Sequence, residues 1–356
     1  MRKVSLKKLR HEIDSTDTKI VRLLNRRAGI AARIADFKIS HGQSKYSPER
    51  EREVLKKINL INKGPLNNRA LEAIYREVMS AALSIQRPLS VAYLGPQATF
   101  THLAAIKRFG SQVEYLASDG IADVFLEVER GRADYGVVPI ENSIEGAVSH
   151  TLDLLIDSDL NICSQIILDV AHNLMANCPR NKIRRVYSKP EVFGQCRLWL
   201  KENLPGADTV EVFSTTRAAQ IAAREKGSAA IASSVAAKVY KLRIVASNIE
   251  DSPHNITRFL VIGKEEAAAT GNDKTSLVFS IKDRVGALCE MLAPFKKYRI
   301  NLTKIESRPS KKKAWDYYFF LDLEGHRSEP KVKKALAELE NKCRFIKVLG
   351  SYPVGE

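Results

Sequence analysis

Between residues 5 and 40 the apolar positions Leu6, Leu9, Ile13, Ile20, Leu23, Leu24, Ile30, Ile34 and Phe37 return at helical spacing, with charged residues between them. That period predicts one amphipathic helix from about Ser5 to Ser40, on the order of 50 Å long at 1.5 Å per residue. A second helix begins at "SPERERE": Ser47 can cap it, Pro48 suits the first turn, and Glu49 and Glu51 complement the helix dipole. A third, "ALEAIYREVMSAALSIQ", ends near Gln86. Two shorter helices offer too little apolar surface to cover the long one, so the pattern predicts an intertwined dimer.

The period changes after "IQRPLSVAYLG", where a proline follows the third helix and short apolar strands begin at Val91. From there to Gly263 strands alternate with helices, the pattern of an α/β sheet. Residues 264–274, "KEEAAATGNDK", read as a polar linker. Beyond it "TSLVFSI", a helix, "INLTKIESRP", "WDYYFFLDLEG", a second helix and "FIKVLGSY" spell β-α-β-β-α-β, which is ferredoxin-like. The reading is therefore multidomain: an all-α domain over 1–88, an α/β domain over 90–264 and an α+β domain over 275–352.

Composition narrows the function classes. The 356 residues contain no run approaching the ~20 apolar residues of a membrane span, and the charged start "MRKVSLKKLRHEID" lacks a secretory apolar core. Five scattered cysteines without a C-x-x-C pair read as reduced thiols, so a cytoplasmic protein is expected. No H-x-x-x-H pair occurs among the seven histidines, and neither a metal nor a cofactor is expected. Net charge is +16, and residues 1–88 carry 20 lysines and arginines against 9 acids. No aromatic interleaving or basic tail accompanies them, so nucleic acid is not the expected partner. A small polyanionic substrate uses the same charge.

The placement of these cations bears that out as an expectation. Arg27 and Lys38 are eleven residues apart, which puts them within about 20° on one helix face. Arg27 also falls inside the apolar stripe, where a solvated cation is out of place. Arg10 lies about 100° away from Arg27 and should serve another surface, such as a partner's site. The set "LRHEID...LLNRRAGIAARIADFK...SPERERE...SAALSIQ" resembles the small all-helical chorismate mutase domain. The resemblance implies a dimer whose sites use Arg10 of one protomer with Arg27, Lys38, Arg50, Glu51 and Gln86 of the other. It implies a Claisen rearrangement of chorismate to prephenate, with arginines clamping carboxylates, Lys38 and Gln86 on the ether oxygen, and Glu51 on the ring hydroxyl. Ser47 and Ala82 stand where that family often has an acid and a serine.

In the α/β segment three strands run into hydroxyl-rich turns that open helices: "VAYLGPQATFTHLAAI" with Thr99, "YGVVPIENSIEGAVSHTL" with Asn142 and Ser143, and "VEVFSTTRAAQIAA" with Thr215. Free N–H groups at helix starts favour anions, and ligands in open α/β sheets sit at the carboxyl ends of strands. "NITRFLVIG" then opens a buried strand with Thr257 and Arg258, polar groups that are costly to bury without partners. On a strand these two alternate sides. One can face a ligand while the other braces the wall, or Arg258 can pair with Glu250 or Asp251. "VAYLGPQATF", "GVVPIENSIEGAVSHTLD", "YSKPEVFGQC" and "NIEDSPHNITRFLVIG" resemble prephenate dehydratase. That likeness implies a two-subdomain, periplasmic-binding-like fold with a site lined by Thr99, Asn142, Ser143, Thr215, Thr257, Arg258 and Phe259. It implies loss of CO2 and hydroxide from prephenate, with Thr257 polarising the leaving oxygen; Lys189 stands where histidine is common.

"DRVGALCEMLAPF" and "INLTKIESRP" resemble the ACT regulatory domain of those dehydratases. The resemblance implies paired domains binding L-phenylalanine through Gly286, Ala287 and Leu288 and through Glu306, Ser307, Arg308 and Pro309. The residues by themselves also allow a tight turn at Gly286 and an exposed Glu306–Arg308 ion pair. Together the resemblances lead to a bifunctional enzyme of phenylalanine synthesis, a homodimer or homotetramer. An arogenate-preferring dehydratase and a non-catalytic amino-acid or prephenate sensor are the alternatives.

Overall fold

The computed structural model describes residues 5–41, 47–85, 89–252, 254–282, 284–310 and 317–354. It divides into two compact units, one of Met1–Leu89 with Phe109–Glu114, the other of Ser90–Arg108 with Tyr115–Glu356.

The first unit is built from α1 (Leu6–Ser40), α2 (Pro48–Ile61) and α3 (Asn68–Ser84). Asn67 caps α3 by accepting from the Ala70 N–H, and Pro48 opens α2. Ser47 occupies the N-cap position of α2 without making the capping bond; its hydroxyl goes to the Glu49 carboxylate instead. α3 packs on both α1 and α2. The nine stripe residues of α1 nevertheless remain 41–63% exposed. Leu55, Ile58 and Ser80 are buried, but the apolar face of the long helix is only partly covered among the described residues.

The second unit contains three sheets. The first has the order Glu114–Ser118, Ser90–Leu94, Tyr135–Asn142, Ile256–Gly263, Asn161–Asp169. Ser90–Leu94 runs parallel to Tyr135–Asn142, whereas Ile256–Gly263 is antiparallel to both its neighbours. The chain leaves this sheet after Asp169, builds the second sheet, and returns at Ile256. The second sheet has the order Arg243–Ala246, Asn173–Ala176, Ser228–Ala232, Arg185–Ser188, Asp208–Glu211. Two lobes joined by two crossings follow directly from that path.

The third sheet is antiparallel, in the order Leu302–Pro309, Tyr317–Glu324, Asp273–Ser280, Phe345–Pro353. Helices Ala287–Lys297 and Pro330–Glu340 cover one side through Met291, Phe295, Val332, Ala335 and Leu339. This is the β-α-β-β-α-β order read from the sequence. The predicted linker packs against both of its neighbours: Ala267 is buried, its carbonyl meets His326 Nε2 at 3.1 Å, and Asn161 Nδ2 donates to the Lys264 carbonyl. A shared core explains the stitching. Val278, Phe320, Leu349 and Tyr352 of the third sheet lie in one apolar cluster with Ile140, Ile162 and Leu260 of the first and Leu152 of helix Ser149–Asp157. Lys347 Nζ also donates to the carbonyls of Leu155 and Ile156 at 3.1 and 3.0 Å, where helix Ser149–Asp157 ends.

Gly350 marks the closest approach of the two sheets: a Cβ there would lie 2.3 Å from the Ile162 carbonyl oxygen and 2.8 Å from its nitrogen. Gly350→Ala is expected to lower the unfolding free energy of this unit, read from urea titration, by about 1–3 kcal/mol through backbone overpacking. Gly194→Ala, on a helix with nothing within 4 Å, is expected to leave it unchanged or raise it by up to about 1 kcal/mol.

Candidate functional site

In the helical unit, Arg27 and Lys38 from α1 meet Arg50 and Glu51 from the first turn of α2 around a cavity of about 340 Å³. That volume lies within the range of small-molecule sites. Ile34, Val54, Met79 and Leu83 supply apolar walls. Three cations and the buried Glu51 leave a formal excess of two positive charges, the complement of a dicarboxylate. Ser47 and Ala82, the two positions that depart from the family pattern, line the same cavity. Arg50 Nη1 is held 2.7 Å from Glu53, an exposed pair worth little that a ligand can replace. Arg10 is not on the cavity; seventeen residues of helix put it about 25 Å from Arg27. Gln86 lies outside the described residues.

A second polar cluster forms where strand Tyr135–Asn142 ends. Asn142 and Thr257 are cross-strand partners, and Asn142 Nδ2 donates to Thr257 Oγ1 at 2.8 Å. The amide orientation is fixed, because Asn142 Oδ1 accepts from the Ile144 and Glu145 N–H groups at 2.9 and 3.0 Å. Nδ2 also donates to Asn255 Oδ1 at 2.8 Å, and Asn255 Nδ2 donates to Gln195 Oε1 at 2.7 Å. Gln195 Nε2 donates to Glu145 Oε1 at 2.9 Å. Its oxygen therefore faces His172, 2.8 Å away, which must present Nε2–H. Asn142 thus donates both to Thr257 and toward Gln195, which leaves the Thr257 hydroxyl hydrogen available to a ligand.

Other expected residues surround this cluster in different capacities. Ser143 Oγ donates to the His254 carbonyl and accepts from the Ile256 N–H, fastening the entry to the Thr257 strand. Thr99 caps helix Phe100–Phe109, bonding the Leu94 carbonyl and the His102 N–H. That turn reaches the second lobe: Ser233 Oγ donates to the Ala98 carbonyl, and Ala98 packs with Ala218 and Ala219 of the helix that Thr215 opens. Phe100 meets the His172 ring edge-on at 5.7 Å. Phe259 is 2% exposed and contributes no polar atom. Lys189 pairs with Glu191 at 3.3 Å, both about half exposed.

Arg258 departs from the expected substrate contact. Its guanidinium turns to the third sheet, with Nη1 2.7 Å from Asp322 and Nη2 2.9 Å from the Tyr352 hydroxyl. Strand alternation is the reason: Thr257 faces the Asn142 cluster, so its neighbour faces away. The alternative partners are engaged elsewhere, Glu250 by the His172 N–H and Asp251 by the Leu198 and Trp199 N–H groups.

In the third sheet Gly286 has φ +77° and precedes helix Ala287–Lys297, a conformation in which a side chain is strained. Ala287 is buried and Leu288 packs on the sheet core. Glu306, Ser307, Arg308 and Pro309 end an edge strand, and Arg308 pairs with Asp153 at 3.3 Å instead of with Glu306. Among the described residues no hydrogen bond or ion pair joins the Gly286 turn to that strand end.

His172, Gln195, Asn255 and Glu145 were not singled out from the sequence. Gln195 and Asn255 do stand inside the quoted stretches "YSKPEVFGQC" and "NIEDSPHNITRFLVIG", but no spacing rule couples residues 23 to 113 positions apart. Among the described residues no group of three or more histidines, cysteines or acids is placed to hold a metal ion, and no helix is long and apolar enough to cross a membrane.

Burial holds His172 below its ordinary value, against the Gln195 hydrogen bond and the Glu250 charge that favour protonation. The unfolded chain then binds the extra proton first as pH falls below about 6.5. Stability should drop from there until the folded pKa is reached. His102, also depressed by burial, adds a second such group. Urea titrations from pH 8 to 5 should show a shallower decline for His172→Gln than for the parent chain.

Three family models match in succession: chorismate mutase type II over residues 9–87, prephenate dehydratase over 91–267 and ACT domain over 275–341. A curated bifunctional chorismate mutase/prephenate dehydratase of Aquifex aeolicus is 52% identical, covering 98% of this chain and 98% of its own. One of Pseudomonas aeruginosa with the same description is 44% identical over 98% and 97%. A solved prephenate dehydratase of Arthrobacter aurescens in complex with L-Phe superposes with a TM-score of 0.70 at 33% identity, covering 74% of this chain and 90% of that one. Two polar clusters on separate scaffolds and full-length relatedness agree: the chain belongs to the bifunctional chorismate mutase/prephenate dehydratase family.

Proposed function

We propose that the helical unit rearranges chorismate to prephenate and that the two-lobed α/β part converts prephenate to phenylpyruvate, CO2 and hydroxide, under control of L-phenylalanine at the third sheet. The observation that carries the reading is the presence on one chain of two unlike clusters: a cavity carrying three cations against one carboxylate, and an amide network that leaves the Thr257 hydroxyl hydrogen free to donate. The first step makes one C–C bond and breaks one C–O bond within a single molecule, so it needs a clamp and no nucleophile. Arg27 and Arg50 hold carboxylates in the reactive conformer. Lys38, joined by Gln86, hydrogen-bonds the ether oxygen as charge develops on it. Glu51 takes the ring hydroxyl.

In the second step a carboxylate leaves as CO2, its electron pair enters the ring, and the ring hydroxyl departs as the ring becomes aromatic. Asn142 occupies one lone pair of Thr257 Oγ1, so the Thr257 O–H donates to the departing oxygen. An aliphatic hydroxyl is too weak an acid to transfer its proton, and polarising the leaving group is its role. Asn255, Gln195 and His172 keep Asn142 in place. The helix starts at Thr99 and Thr215 orient N–H groups toward the carboxylates.

The exposed stripe of α1 supports a dimer in which Arg10 of one protomer completes the partner's cavity, and Gly286–Leu288 with Glu306–Pro309 support an effector site completed by a second copy. The alternative of an arogenate-preferring enzyme is tested by comparing turnover of the two substrates; faster prephenate turnover is expected, and equal rates would defeat the preference.

With chorismate supplied and both products followed, Arg27→Ala is expected to lose rearrangement alone and Thr257→Val dehydration alone, each by about 10²–10³-fold in kcat. Loss of both activities in either folded variant would overturn the separate-site reading. Mixing Arg10→Ala with Arg27→Ala chains after unfolding together should restore roughly a quarter of parental rearrangement, because half the dimers are mixed and each carries one intact site. No recovery would overturn the shared cavity.

A further inference from the structure

The face of strand Ile256–Gly263 that turns away from Thr257 carries a closed ring of hydrogen bonds. Arg258 Nη1 donates to Asp322 Oδ2 at 2.7 Å and Nη2 to the Tyr352 hydroxyl at 2.9 Å. Ser276 Oγ lies 2.5 Å from Asp322 Oδ1 and 2.5 Å from the Tyr352 hydroxyl. Ser276 has one hydrogen and the carboxylate can only accept, so that hydrogen goes to Asp322 and Tyr352 must donate to Ser276. Every direction around the ring is thereby fixed. Tyr352, Ser276 and Asp322 are 0%, 4% and 6% exposed. Burial pushes the Tyr352 hydroxyl above its ordinary value, which keeps the proton that the ring requires.

The ring draws on three of the four strands of the third sheet. Asp322 stands on Tyr317–Glu324, Ser276 on Asp273–Ser280 and Tyr352 on Phe345–Pro353. Lys304, on Leu302–Pro309, meets Glu141 at 2.9 Å, and Glu141 is the cross-strand partner of Arg258, 3.8 Å from its guanidinium. Two adjacent cross-strand pairs therefore look in opposite directions: Asn142–Thr257 toward the polar cluster, Glu141–Arg258 toward the third sheet. A cavity of about 20 Å³ beside Arg258, Ser276 and Asp322 leaves the guanidinium room to shift.

We infer that Asp322, Ser276 and Tyr352 are positioning residues for dehydration, setting Thr257 through Arg258, and that this ring carries the effector's influence from the third sheet to the reacting group. The inference rests on the function proposed above. A shift of the sheet moves Arg258, and the rigid strand transmits the move one residue along to Thr257.

Tyr352→Phe removes one oxygen without changing shape, and Ser276→Ala opens the ring at another point. In the full-length chain each is expected to lower kcat for prephenate about tenfold, the size of a coupling term of this kind. KM should stay within about twofold and chorismate turnover should be unchanged, since only positioning is lost. The double variant should be no worse than either single one, because one opening already breaks the ring. Saturating L-phenylalanine should inhibit the residual dehydration less than it inhibits the parent. An active parent with variants of parental kcat, a fall of both activities in step, or undiminished inhibition would each overturn the inference while leaving the function standing. A parent that turns over no prephenate would overturn the function and the inference together.

Discussion

Alternation along one buried strand governs the larger unit. Ile256–Gly263 lies between Tyr135–Asn142 and Asn161–Asp169 and is paired along both of its edges. Its first turn of pleat puts a hydroxyl on one side and a guanidinium on the other. Each would be costly to bury alone, and each is satisfied by a different network. Removing the Asp322 carboxylate would take away the nearest counter-charge of buried Arg258, a loss of about 3–5 kcal/mol for a buried ion pair, whereas Tyr352 and Ser276 contribute neutral hydrogen bonds. The strand is therefore held in register from both faces, which is what a reacting group placed at its head requires.

That arrangement explains why the third sheet is no loosely tethered module. Its side chains complete the apolar core of the first lobe and supply every counter-group of Arg258 except Glu141. Deforming the sheet without disturbing the Thr257 strand would require breaking the ring or opening the core. Packed cores respond by switching between arrangements more readily than by bending.

The helical unit solves a different problem with simpler means. A pericyclic step needs conformational restraint and a place for developing negative charge, and the cavity provides three cations against one carboxylate. No member of that set is a strong nucleophile. The cost of the arrangement is visible on α1, whose apolar stripe stays in water within one chain.

Much of this was legible in the residues. Helical periodicity located α1, turn and cap chemistry located the start of α2, and the order of short apolar runs spelled the third sheet. Arg27 and Lys38 converge because an α-helix returns to the same face after eleven residues, which is local geometry. The partners of Arg258 were not legible, because Asp322 and Tyr352 lie 64 and 94 residues further along and meet it only when two sheets stack. The same holds for Gln195, His172 and Asn255, whose side chains meet across two lobes. Local period and chirality act within a few residues and so are written in the sequence. Long-range pairing of buried polar groups depends on which surfaces the folded sheets bring together, and only the tertiary structure decides that.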